Sequence, residues 1–252
     1  MKIERVLQWL DCVGEDLTLV GGQAVALWEH VLGLPVITET VDIDFLGDAS
    51  QALGLADALN YRCRIPQAQD PTPNTAILID DAGVVVADFL AYVAGLNETD
   101  ILRRRVPMTT ANGHSFFVLH PFDCLASRLS NIMLIPDKRT PRGYDQLRAA
   151  IRVCHGYLLR LIAEGKAHEA IKIANRVFDL ALTDAGKRTF FHQGIDLLDA
   201  LPPPAAFGVD AFKHENYPRQ VQRVRLQREQ FARFLARHGR LDSDGPAGSK
   251  PV

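Results

Sequence analysis

Two acids alternate with apolar residues in the run Val41-Asp42-Ile43-Asp44-Phe45-Leu46. On a strand, side chains repeat every two residues on one face, so Asp42 and Asp44 point the same way. Like charges side by side raise each other's proton affinity unless a cation sits between them. Paired hard oxygens suit Mg²⁺ (or Mn²⁺), which leaves its other positions to water and substrate phosphate. A third acid, Asp88, lies in the apolar run Val84-Val85-Val86-Ala87-Asp88-Phe89-Leu90. An ionised carboxylate among such residues needs compensation, and a shared metal would supply it. Taken singly, each acid has a plainer reading. An edge strand facing water gives Asp-x-Asp equally well, and a strand-end Asp can simply bond a neighbouring loop.

These acids need elements to hold them. Upstream, Leu17 to Val20 reads as a short strand ending in Gly21-Gly22. Ala24, Leu27, Trp28, Val31 and Leu32 follow at helical spacing. A glycine pair at a strand end is common in tight turns. It also lets a ligand approach the backbone, because no side chain intervenes. Trp28 falls on the apolar face and reads as core. Downstream, Thr75 to Ile79 and Val84 to Leu90 read as a hairpin across Asp80-Asp81-Ala82-Gly83, with Asp88 toward the end of its second strand.

A strand ending in Gly-Gly, then a helix, then Asp-x-Asp on the next strand resembles the nucleotidyltransferase superfamily built on the DNA polymerase β-like palm. The resemblance covers roughly residues 15–150. It implies an α+β fold: an N-terminal nucleotidyltransferase-type mixed sheet with flanking helices, followed by a C-terminal helical domain. It also implies that Asp42, Asp44 and Asp88 hold the catalytic metal and that Gly21 and Gly22 face the triphosphate, with Gln23 and Thr40 adding hydrogen bonds. The implied reaction moves a nucleoside monophosphate from a nucleoside triphosphate such as ATP to an acceptor hydroxyl and releases pyrophosphate.

The later chain bears on the same resemblance. His120-Pro121 precedes a helix bearing Arg128, and Arg142-Gly143-Tyr144-Asp145 opens another. This looks like the nucleotidyltransferase toxins of bacterial abortive-infection systems, in which a helix lysine and an Arg-x-Lys-Asp motif occur in this order. Arg128 would then neutralise triphosphate charge, with Arg142 beside it. Two positions depart from the pattern. Tyr144 stands where the motif carries lysine, and Thr38 where an arginine commonly precedes the Asp-x-Asp strand. The implied partners are a nucleoside triphosphate, an acceptor that is RNA (tRNA among them), a protein or a small molecule, and a cognate antitoxin protein. The rival reading is a non-catalytic nucleotide- or partner-binding protein on the same fold.

Composition frames these readings. The chain has 252 residues, 47% hydrophobic and 23% charged, as in ordinary globular proteins. No apolar run approaches the roughly 20 residues of a membrane span. The N-terminus lacks the pattern of a signal peptide. Cys12, Cys63, Cys124 and Cys154 are widely spaced and read as reduced, mostly buried thiols. Together these imply a cytoplasmic protein with no membrane partner. Residues 1–120 carry 7 Lys and Arg against 16 Asp and Glu, whereas residues 121–252 carry 21 against 14. An acidic half fit for metal thus joins a basic half fit for phosphate, or the two halves attract each other across an interface.

The division that follows is 1–120 for the catalytic unit, 121–241 for the helical unit and 242–252 for a Gly/Ser/Pro-rich disordered tail. The pattern predicts helices over 49–60, 122–134, 144–164, 168–183 and 218–238, and a closing strand over 114–119. Arg103, Arg104 and Arg105 form a basic cluster that either meets phosphate or lies in a solvated loop. His30, His114 and His120 lack metal-ligand spacing and read as partly buried, satisfied histidines. From Lys213 to Arg240 there are eight Lys and Arg against Glu215 and Glu229, with Val221, Val224, Phe231, Phe234 and Leu235 as an apolar stripe. Its plain reading is a solvated helix complementing the acidic half. The sharper one is that Arg223, Arg228 and Arg233, with Arg103 to Arg105, guide a polyanionic acceptor.

Overall fold

The computed structural model describes residues 3–11, 17–38, 40, 42–67 and 73–238. The expectations for Cys12, for Val41 and for the tail from residue 242 lie outside these residues. Two short antiparallel hairpins and a crossed centre build one mixed sheet in the order β3-β4-β5-β2-β1-β7-β6. Its strands are β1 (Thr18–Leu19), β2 (Ile43–Leu46), β3 (Arg62–Arg64), β4 (Asn74–Ile79), β5 (Val85–Leu90), β6 (Val106–Thr109) and β7 (Ser115–Val118). At the centre, β2 runs parallel to β5 and antiparallel to β1, and β1 runs parallel to β7. The fold is therefore α+β with a mixed sheet.

Alternation along the central strands sorts the residues by chemistry. Ile43 and Phe45 of β2 share a face with Ala87 and Phe89 of β5, and all four are fully buried. The Phe45 and Phe89 rings lie 5.3 Å apart. Burying a side chain of this size contributes roughly 1.5–3 kcal/mol. The opposite parity carries Asp44 and Asp88, so the hydrophobic demand of one face fixes the acids on the other.

Helices α1 (Ile3–Leu10), α2 (Gly21–Val31), α3 (Ala49–Leu59) and α4 (Glu98–Arg104) flank the sheet. A reciprocal capping box between Asp48 and Gln51 starts α3, where the sequence predicts it. After β7 come α5 (Pro121–Leu134), α6 (Pro141–Ala163), α7 (Ala167–Leu182), α8 (Asp184–Gln193) and α9 (Tyr217–His238). One buried cluster continues from the sheet into these helices. Within it, Trp28 of α2 packs edge-on against Tyr157 of α6 and donates its indole N–H to the Leu119 carbonyl at 2.9 Å.

Several elements differ from the sequence reading, each for a local reason. The helix expected over 144–164 begins at Pro141, because proline suits the first helical position and Thr140 caps it. The Lys/Arg-rich stretch Pro136 to Gly143, which reads as a break in the sequence, thus contains a helix start. Strand β6 contains Pro107, which disguises it; it survives as an edge strand paired only with β7. The basic cluster is not a solvated loop. Arg103 and Arg104 end α4, which Asn97 caps.

These arginines are held in structural contacts. Arg104 makes two bonds, of 2.9 and 3.0 Å, to the fully buried Asp123 of α5. Arg105 donates to the Thr18 hydroxyl at 3.0 Å and lies 3.6 Å over the Phe117 ring. Of the histidines, His120 is buried, and its Nδ1 accepts the Phe122 amide as the cap of α5. His30 and His114 are exposed. No helix among the described residues is long and apolar enough to cross a membrane.

Candidate metal centre

Register brings the acids together. In the parallel β2–β5 pair Asp44 stands directly across from Asp88. Asp42 lies in the bend just before β2, not on the strand itself, and still falls on the same side. Each of the three offers a carboxylate oxygen, and these oxygens lie within 4.8 Å of one another. All three residues are partly buried.

The glycine turn meets this cluster because of the β1–β2 pairing. Thr18 pairs with Leu46 and Leu19 with Phe45, and the Val20 N–H donates to the Asp44 carbonyl at 2.9 Å. The next residue, Gly21, therefore arrives beside Asp44. Its φ of 67° lies in the left-handed region, and a Cβ there would sit 1.8 Å from Asp44 Oδ2. Both facts require glycine. The Gly22 amide donates to the Asp44 carboxylate, so in this structure it serves the acid. A Cβ on Gly22 would sit 2.3 Å from the Thr40 methyl. Gln23 and Thr40 hydrogen-bond each other, and both are buried, forming the wall behind the turn.

The electrostatics follow from crowding. Burial raises the Asp44 carboxyl, the neighbouring Asp42 raises it further, and Arg128, Lys138 and the Gly22 amide pull it down. Asp88 is pushed up to about 7, first by burial and then by Asp42 and Asp44, with Asn74 opposing. Burial lowers the proton affinity of the Arg128 guanidinium of α5, and the Asp44 charge opposes this. Its Nη1 donates to Gln146 Oε1 of α6 at 3.0 Å. Gln146 Nε2 lies 3.5 Å from where a Gly22 Cβ would stand, so Gln146 links the arginine to the glycine turn.

Arg142 is exposed in the first turn of α6, and the cations acting on Asp44 are Arg128 and Lys138. Lys138 sits in a 3-10 turn, Pro136–Lys138, between α5 and α6. That link is tied down by Arg139, which donates to the Ile132 and Met133 carbonyls at 3.0 Å each. Gly143 fits against it so closely that a Cβ would meet the Lys138 carbonyl at 1.9 Å. The chain leading into the acids is also anchored. Fully buried Glu29 of α2 accepts the Ile37 and Thr38 amides at 3.3 and 3.1 Å, and pairs with Arg152 of α6 at 2.9 Å.

Sequence reasoning missed Lys138, Gln146 and Asn74 as members of the site. Lys138 reads as one of several cations in a break. Gln146 lies one helical turn beyond Arg142, a spacing visible only when the helix is read from Pro141. Asn74 ends the stretch 66–74 that reads as a loop in the sequence, and nothing local signals its reach to Asp88.

Three hard oxygens held this close, with two carboxyls displaced toward their protonated forms, fit a divalent cation. Comparison with family models, curated proteins and solved structures gives no match to this chain.

Proposed function

We propose that this protein is a metal-dependent nucleotidyltransferase of the DNA polymerase β-like type. The single observation that carries the proposal is the convergence of Asp42, Asp44 and Asp88 beside the Gly21-Gly22 turn. The β1–turn–α2–β2 order, with β2 parallel to β5, supports the same reading. Asp42, Asp44 and Asp88 would hold Mg²⁺ or Mn²⁺. When bound, the cation would supply charge neutralisation at the phosphate oxygens and make the acceptor hydroxyl more acidic.

The chain's own residues do the rest. Arg128 and Lys138 offer positive charge on the α5–α6 side of the acids and draw in the polyphosphate, with exposed Arg142 near the helix start. Gly21 and Gly22 leave room for the Asp44 carboxylate and the Thr40 methyl, and the buried Gln23–Thr40 pair fixes the shape of the turn. The acceptor oxygen bonds to the α-phosphorus as the bond to the bridging oxygen breaks, and pyrophosphate leaves. The hydroxyl proton passes to the Asp88 carboxylate as the acceptor oxygen bonds. The acceptor is RNA, a protein side chain or a small hydroxylated molecule. A role as a toxin restrained by an antitoxin belongs to the same proposal.

The test is to incubate the protein with each α-labelled nucleoside triphosphate, Mg²⁺ and cell extract. The expected result is a labelled RNA, protein or small-molecule fraction with equal pyrophosphate release, absent in Asp44→Asn. Tight nucleotide binding without pyrophosphate release from any triphosphate would favour the non-catalytic reading.

A further inference from the structure

The hairpin that carries Asp88 is irregular at one point. Along β4 and β5 the register runs Ile77 with Asp88, Ala76 with Phe89, then Asn74 with Leu90. Thr75 is thus one extra residue on β4, a bulge of the kind that re-aims side chains beside sites. Without it, alternation would put Asn74 on the face of Ala76 and Leu78, both fully buried in the core. With it, Asn74 joins the face of Leu90 and Asp88. The bulge is pinned by its own residue: the Thr75 hydroxyl donates to the Gly47 carbonyl at 2.8 Å, with the Phe89 carbonyl at 3.2 Å as second acceptor. Asn74 Nδ2 then donates to Asp88 Oδ1 at 2.9 Å.

We propose that Asn74 is a positioning residue of the metal centre: the bulge aims its amide at Asp88 Oδ1 and leaves the other carboxylate oxygen for the cation. The inference rests on the metal-binding reading above. A neutral donor suits this task. It restrains the carboxylate through a charge-assisted bond, yet adds no positive charge to compete with a cation. Hydrogen-bond partners behind a ligating carboxylate typically govern metal affinity by 10–100-fold.

The experiment titrates the full chain with Mn²⁺, following the loss of the free-ion electron paramagnetic resonance signal, and runs thermal unfolding without metal alongside. Asn74→Ala is expected to weaken Mn²⁺ binding by about 10–100-fold, and Asn74→Gln, which keeps the amide, to recover part of it. A merely structural role would lower the unfolding midpoint and leave Mn²⁺ affinity unmoved. Wild-type protein that binds Mn²⁺ while Asn74→Ala stays within about twofold of it overturns the positioning role alone. Wild-type protein that binds no Mn²⁺ at millimolar concentration overturns the metal reading and this inference together. If Asn74→Ala does not fold, Thr75→Val decides: it keeps the shape, removes the pin and is expected to weaken Mn²⁺ in the same range. Wild-type affinity in Thr75→Val would then overturn the proposal.

Discussion

Removing one carboxylate from the cluster should stabilise the metal-free protein at alkaline pH and change little in acid. Asp88 is the member to replace, since its carboxyl is raised from 3.8 to about 7 by burial and by the Asp42 and Asp44 charges. The unfolded chain gives up this proton near the ordinary value. Between the two values the folded protein binds more protons, so stability falls as pH rises through the window, and the whole cost stands above pH 7. At 1.36 kcal/mol per pH unit the interval is worth about 4 kcal/mol. Solvent screening at a partly exposed group reduces this to roughly 2–4 kcal/mol. Asp88→Asn mimics the protonated form at every pH and so escapes the penalty. In a chain of this length that should raise the unfolding midpoint by about 5–10 °C at pH 8.5. At pH 3, below both values, the two proteins should nearly coincide. Thermal unfolding followed by circular dichroism with a chelator present measures both. Adding Mn²⁺ should then close the alkaline gap from the other side, because wild type gains about 2.7 kcal/mol at a hundredfold excess over its dissociation constant, and the variant gains little. A variant destabilised by the same amount at both pH values would refute the reasoning, because Asp88 would then be a structural residue and not a strained one.

Other outcomes follow from the same geometry. Gly21→Ala meets both a left-handed backbone, costing about 1–2 kcal/mol, and the Asp44 carboxylate; Mn²⁺ titration should show binding lost, and wild-type affinity would contradict the close approach described. His120, held neutral by burial with its ionisation lowered from 6.5 to about 4, contributes stability present in full above pH 6.5 and lost as pH falls toward 4, about 3 kcal/mol in all. His120→Asn keeps an acceptor for the Phe122 amide and should flatten that acid limb in pH-dependent urea unfolding; an unchanged limb would refute this. If the acceptor is RNA, replacing exposed Arg219, Arg225 and Arg237 together should reduce the log–log salt slope of binding by about 2, at roughly 0.7 per phosphate contact. No RNA binding even at low salt would point to a small-molecule or protein acceptor.

The parts of the site that the sequence made legible are those governed by short periods. Alternation in residues 41–46 and 84–90 sets the facing of Asp44 and Asp88, because a strand's period is two and the apolar partners have one face to occupy. The pairing of β1 with β2, which delivers Gly21 to Asp44, is a relation between segments about 25 residues apart. The Gly21-Gly22 pair marks the turn but not its neighbour. Asn74 is illegible for a stronger reason. The bulge at Thr75 breaks the alternation that any reading of β4 depends on, so a regular strand would have assigned Asn74 to the core face.

Charge distribution shows a similar division between composition and contact. An acidic first half and a basic second half suggest attraction between them, yet the buried pairs do not run one way. Glu29 of the first half meets Arg152 of the second, but Asp123 of the second is neutralised by Arg104 of the first. Helix α9 packs on α7 and α8, and among the described residues its ion pairs stay within the second half. Arg228 grips Asp196 and lies over Phe190, Arg223 reaches Asp179, and Arg233 reaches Glu229. Arg228 therefore anchors the helix and is not available to guide a ligand. The exposed Arg219, Arg225 and Arg237 are left facing solvent with no ion pair among the described residues. The net positive charge of this helix is thus not consumed by the acidic half. Instead Arg128 and Lys138, from α5 and the turn after it, are the cations of the second half that act on Asp44.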